Sequence, residues 1–158
     1  MPIKSSMLDS LTTIFLRGLN TLSKEVDAFE GRGDFWESSE QFPNSAGNLT
    51  LHLVGNLQQF IGATLGGSSY IRQRAQEFSD KNLAISDLQK LIESTKDVVQ
   101  QTLSSTEESK LSEKCPVDFL GPDATWEMFL IHLVSHFSYH LGQINHIRRS
   151  ASLLESEL

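Results

Sequence analysis

At 158 residues and 39% apolar, the chain can enclose one substantial hydrophobic core but is short for two, so a single domain over residues 1–158 is expected. A formal charge of −7 repels phosphate backbones and argues against nucleic acid as a partner, because sequence-independent binding needs clustered Lys and Arg. One cysteine, Cys115, leaves no intrachain disulfide or thiolate cluster; with no 18-residue apolar span and no apolar signal core in residues 1–10, a cytoplasmic protein without a membrane partner is expected.

Four stretches carry apolar residues at helical spacing. In the first, Met7, Leu8, Leu11, Phe15, Leu19, Leu22, Val26 and Phe29 recur every three or four positions until Gly31 and Gly33, which predicts a helix over residues 6–29. A connection bearing Gly, Ser and Pro ends at Pro43. The second helix then begins near Ser45 or Asn48, carries Leu49, His52, Leu53, Asn56, Leu57, Phe60 and Ile61, and stops at Gly66 and Gly67. His52 falls on its inward face. The next connection gathers Arg72, Arg74, Glu77 and Phe78, placing charge beside an aromatic ring where the segment can fold over one mouth of the helices.

The third helix is expected from Ser86, with Asp87 adding negative charge to its first turn and a stripe of Leu88, Leu91, Ile92, Thr95, Val98, Val99 and Leu103. Polar residues 104–114 lead through Cys115-Pro116 and Gly121-Pro122 to Asp123 or Thr125. Either can cap a last helix whose apolar face is Trp126, Phe129, Leu130, Leu133, Phe137, Ile144 and Ile147. Residues 150–158 read as its fraying end. The predicted fold is all-α: an antiparallel four-helix bundle with long connections, one or more crossing the bundle end or carrying a short helix.

The last helix holds the main functional clue. His132, His136 and His140 stand four residues apart, a series that drifts only about 40° per step around an α-helix. Two such imidazoles, with His52 from a facing helix, can close three sides of a metal site. Neutral imidazole suits zinc, nickel, iron and copper. The turn H-F-S-Y-H, residues 136–140, lacks the glutamate that serves as general base in the H-E-x-x-H zinc helix, which argues against a metalloprotease. Core histidines bonded to backbone carbonyls are the plainer explanation for any one of these rings. Three facing rings, however, would each need a separate partner unless one ion satisfies them together.

Three segments, N-L-T-L-H-L-V-G-N (48–56), I-R-Q-R-A-Q-E-F (71–78) and H-L-V-S-H-F-S-Y-H-L-G-Q-I (132–144), together resemble the DinB/YfiT-like superfamily of metal-binding four-helix bundles, in a branch of small bacterial proteins of uncharacterised function. The resemblance covers most of the chain, and its C-terminal motif is the most specific part. It implies a divalent metal, zinc, nickel, iron or manganese, on His52, His136 and His140, with His132 one turn too early. It further implies open metal positions filled by water, a homodimer, and relatives acting as thiol-dependent S-transferases or isomerases, with a hydrolase role suggested for others.

Other residues carry expectations of their own. His132 is expected to pack beside the site or to support a ligand. It is also, with Glu127, the first suspect for a fourth ligand that would close the site into a structural one. Asn56 and Gln143, one turn from ligands, can orient a bound water or substrate, or merely link helices. Arg72 and Arg74 are candidates for binding the carboxylates of a small anionic substrate or a low-molecular-weight thiol, with solvated loop charges as the plainer reading. His146 is expected at the surface, Ser135 and Tyr139 in structural roles, and Cys115 outside any catalytic pair. The functional expectation is S-transferase chemistry on a small-molecule substrate, because the local sequence offers no proton donor for hydrolysis by metal-bound water. The alternatives are that hydrolase, or a non-catalytic, metal-stabilised dimer with a stress-related binding role.

Overall fold

The computed structural model describes residues 6–155, with backbone alone for 151–155. Five α-helices follow one another: α1 (Met7–Asp27), α2 (Ala46–Leu57), α3 (Arg74–Ser79), α4 (Ile85–Ser105) and α5 (Trp126–Glu155). The all-α expectation holds among the described residues, where the sole β feature is an isolated bridge between Lys114 and Thr125. The short α3 lies in the connection that the sequence marked for its charge.

The starts of α1, α2 and α5 have a local cause. Ser6 Oγ accepts the Asp9 N–H at 3.0 Å while the Asp9 carboxylate accepts the Ser6 N–H at 3.2 Å, a reciprocal box that opens α1. Ser45 Oγ accepts the Asn48 N–H at 3.0 Å and opens α2. At α5 the cap is Thr125, whose Oγ1 accepts the Met128 N–H at 3.3 Å. The α1 stripe buries Leu8, Leu11, Phe15, Leu19, Leu22 and Val26, but Met7 is 39% exposed and lies outside it. The helix stops at Asp27, short of Phe29, and the turn running to Gly31 at φ 75° still delivers Phe29 fully into the core. In α4, Leu91 is likewise partly exposed, unlike Leu88, Ile92, Thr95, Val99 and Leu103. The helical backbone of α5 continues to Glu155, whereas the remainder of the expected fraying end lies outside the described residues.

The second helix departs most from a regular period. After Leu57 it widens into a π-helix over Gln58–Leu65, which ends before Gly67 at φ 70°. Two glycines press this segment against α4. A Cβ on Gly62 would stand 3.0 Å from Val98 Cγ1, and one on Gly66 would stand 2.8 Å from Thr102 Oγ1. The Gln58 side chain donates to Thr95 Oγ1 at 3.1 Å. The wider turn holds Phe60 half-buried, its ring 5.0 Å from Phe129 and 5.9 Å below the Arg72 guanidinium.

One apolar cluster joins these elements. Helix α1 packs on α4 and α5, α2 packs on α5 and α3, and the π segment packs on α4. Its centre is Phe15, Leu19, Leu22, Leu53, Leu57, Ile92, Phe129 and Leu130, all sealed from solvent. Leucine, isoleucine and phenylalanine at these positions supply the burial, each side chain contributing about 1.5–3 kcal/mol. Among the described residues no helix is long and apolar enough to cross a membrane. The contact between α2 and α5 brings His52 to the histidine stripe.

Candidate metal centre

His52 is buried on α2 and faces two polar neighbours. Its Nδ1 lies 3.0 Å from Glu77 Oε2 on α3, and the carboxylate can only accept, so Nδ1 carries the proton. The Nε2 lone pair then points the other way. Arg72 braces the same carboxylate, Nε donating to Oε1 at 2.6 Å and Nη2 to Oε2 at 2.9 Å. Arg72 Nη2 also approaches His52 Nδ1 at 3.2 Å, but both are donors and Glu77 is the acceptor they share.

His140 is held in the same sense from α5. Its Nδ1 donates to Gln143 Oε1 at 2.7 Å, which leaves Nε2 free as an acceptor. His136, one turn earlier, puts its Nε2 3.1 Å from His52 Nε2. Ring centroids of the three lie 4.6 to 5.0 Å apart, and one nitrogen from each falls within 4.8 Å of the others. A tetrahedral ion with nitrogen ligands at about 2.0–2.1 Å asks for separations of roughly 3.4 Å, so small side-chain rotations suffice.

Burial favours the neutral form of His136 and His140, the form that binds metal. Burial pushes His136 down to about 4, helped by His140, His52, His132 and Arg72. Burial also lowers His140, partly countered by the bond to Gln143 and reinforced by His52. For Glu77, burial alone would raise the carboxyl, yet hydrogen bonds from His52 and Arg72 and the guanidinium charge more than offset it and hold it below the usual range. His136 Nδ1 is buried with no hydrogen-bond partner, a cost of about 1–3 kcal/mol in a neutral ring. The donor set therefore fits a borderline divalent cation: three imidazoles, two fixed as Nε2 ligands, the third with its Nδ1 unpaired.

The structure brings together His52, His136 and His140, and places the other candidates around or away from them. His132 lies 6.3 Å from His136 between ring centroids, packed on Phe119 and Phe129, and is not one of the convergent group. Glu127 is exposed at the start of α5 and also lies outside that group. Gln143 orients His140. Asn56 is buried one turn past His52. Arg72 reaches the site through Glu77, whereas Arg74 is exposed and lies 5.4 Å over the Phe78 ring. Phe78 in turn sits 5.1 Å from the His52 ring. Tyr139 is 66% exposed and stands edge-on to His140. His146 is exposed and Cys115 buried, as expected. Sequence reasoning missed the role of Glu77; the signal available was a lone acid five residues after Arg72.

An all-α protein with three convergent imidazoles on two packed helices is thus the class that fold and site define. Over residues 6–155 the sequence matches the family described as a protein of unknown function (DUF1572), and the chain belongs to that family. No curated protein matches it.

Proposed function

We propose that the chain is a metal-dependent enzyme of the DinB/YfiT-like superfamily that joins a low-molecular-weight thiol to a small electrophilic molecule. In this reading α1, α2 with its π segment, α4 and α5 form a four-helix bundle with α3 folded across it, and the expected assembly is a homodimer. The observation that carries it is the open donor set: three imidazoles converge, and among the described residues no fourth His, Cys, Asp or Glu joins them. Structural sites are closed by a fourth protein ligand, while catalytic sites keep a position for substrate or solvent.

A divalent ion on His52, His136 and His140 would supply a cationic centre able to keep a thiol ionised at neutral pH. The chain's own residues would do the rest. Glu77 and Gln143 orient two of the ligands, and Arg72 keeps Glu77 charged. The exposed Tyr139 and Phe119 rings, beside His140 and His132 respectively, offer apolar surface to a small substrate. The test is metal analysis of the purified protein beside His52→Ala and His140→Ala, followed by assay with thiols and reactive electrophiles. Both variants should keep their helical content and lose metal and turnover. Turnover without thiol would replace this reading with hydrolysis, and unfolding on chelation with no turnover would replace it with a structural ion.

A further inference from the structure

Helix α2 devotes a stripe to the short helix α3, and its members do three different jobs. Asn48 Nδ2 donates to the backbone carbonyls of Glu77 at 2.9 Å and Asp80 at 2.8 Å, tying down the end of α3. One turn on, His52 donates to the Glu77 carboxylate. Gly55, a further turn along, leaves bare backbone where that carboxylate lies, and a Cβ there would overlap Glu77 Oε1. Positions 48, 52 and 55 share one face of a helix. Arg72 closes the arrangement from the opposite side, so Glu77 is charged, buried and fixed in orientation.

We infer that Glu77 is a positioning residue for the metal centre, setting the tautomer and ring plane of His52, and that metal capture and docking of α3 on α2 are one linked equilibrium. This rests on the metal reading above and adds to it a means of control. A cation held on Nε2 would withdraw electron density from the ring and make Nδ1–H a stronger donor, which would tighten its bond to Glu77. Linkage is reciprocal: whatever factor docked α3 contributes to metal affinity, the metal returns to docking of α3. An α3 serving stability alone would show no such response.

The test uses the full chain, stripped of metal by a chelator and titrated with zinc ion alone. In metal-free protein near neutral pH, nitrogen-detected NMR of the imidazoles should find His52 protonated on Nδ1. Zinc should slow amide hydrogen exchange across residues 74–80. Glu77→Gln, which removes the charge, and Gly55→Ala, which swings the intact carboxylate aside, should each weaken zinc binding by about 10- to 100-fold. Gly55→Ala should also mix the His52 tautomers. If one variant fails to fold, the other carries the test. Zinc affinity equal to wild type in a folded variant, an Nε2-protonated His52, or unchanged exchange in residues 74–80 would overturn the inference. If the wild-type chain takes up no zinc, the metal reading and the linkage both fall, while the His52 tautomer still decides whether Glu77 orients that ring.

Discussion

The Nε2 atoms of His52 and His136 meet at 3.1 Å across 84 residues of sequence. Their other nitrogens differ in a way that makes the two rings unequal. His52 Nδ1 is engaged by Glu77, whereas His136 Nδ1 is buried with no partner. In either neutral tautomer His136 therefore keeps an unsatisfied atom, and the two positions should respond unequally to an apolar substitution. His136→Leu removes the unpaired Nδ1 together with the Nε2 contact to His52, two effects that offset, and should leave metal-free protein within about 1 kcal/mol of wild type. His52→Leu strands one side of a buried carboxylate and should destabilise by about 2–3 kcal/mol. Thermal or denaturant unfolding in the presence of chelator reads both, and metal binding should be lost in each. Equal destabilisation by the two variants would contradict the assignment.

His132 tests whether the stripe is read correctly. Its ring stacks at 14° to Phe129 and is neighbour to Phe119, with the centroid 6.3 Å from that of His136. His132→Ala should retain metal at wild-type stoichiometry while losing some packing around Phe119. Metal analysis would refute this if the variant came out empty.

Much of this architecture was legible before any coordinates. The stripes in residues 6–29 and 126–147, the helix starts at Ser6, near Ser45 or Asn48, and at Asp123 or Thr125, and the inward placement of His52 all follow from period and end signals that depend on local sequence. What was not legible depends on partners distant in the chain. The π-helix over Gln58–Leu65 is stabilised by close approach of Gly62 and Gly66 to α4 and by Gln58 on Thr95, contacts that no helical period encodes. Glu77 reads as one more acid in a negative chain, because its role exists only once α3 docks beside His52. Met7 and Leu91 carry helical spacing but lie at the margins of their stripes, where an apolar residue stays partly exposed at little cost.

A close contact away from the site gives a packing test. Gly47 lies in the first turn of α2 directly against the Trp36 ring, and an added Cβ would overlap the indole. The Gly47 N–H also donates to the Phe35 carbonyl at 2.9 Å, which fixes the spacing between the two segments. Gly47→Ala should therefore cost about 1–3 kcal/mol through overpacking, despite the better helix propensity of alanine. A melting temperature at or above wild type would show that Trp36 moves aside freely.

Acid sensitivity should come from two kinds of group with separable windows, the carboxylates held low, Glu25 and Glu77, and the imidazoles held low, His136 and His140. Glu25 on α1 accepts from Arg148 Nε at 2.5 Å and from Asn145 Nδ2 at 2.7 Å, both on α5. Burial would raise its carboxyl, but these bonds and the guanidinium charge outweigh burial and leave it below the ordinary 4.5. A depressed carboxyl means that the unfolded chain takes the proton first as pH falls. The Glu25 contribution is thus complete above about 4.5 and disappears as pH drops through the lower folded value. His136 acts in the same direction for the opposite reason: its folded pKa of about 4 lies below the ordinary 6.5. Between those values the unfolded ring is the one that protonates, so metal-free stability should already decline from about pH 6.5 downward. Unfolding measured from pH 7 to 3 in chelator separates the two. Glu25→Gln should be less stable than wild type at pH 7, by about 1–2 kcal/mol, with the gap closing only below pH 4.5. His136→Leu should instead lessen the decline between pH 6.5 and 4, leaving the part due to His140, and leave the lower limb intact. A gap between wild type and Glu25→Gln that stays constant down to pH 3 would mean that the Glu25–Arg148 pair stabilises through shape alone.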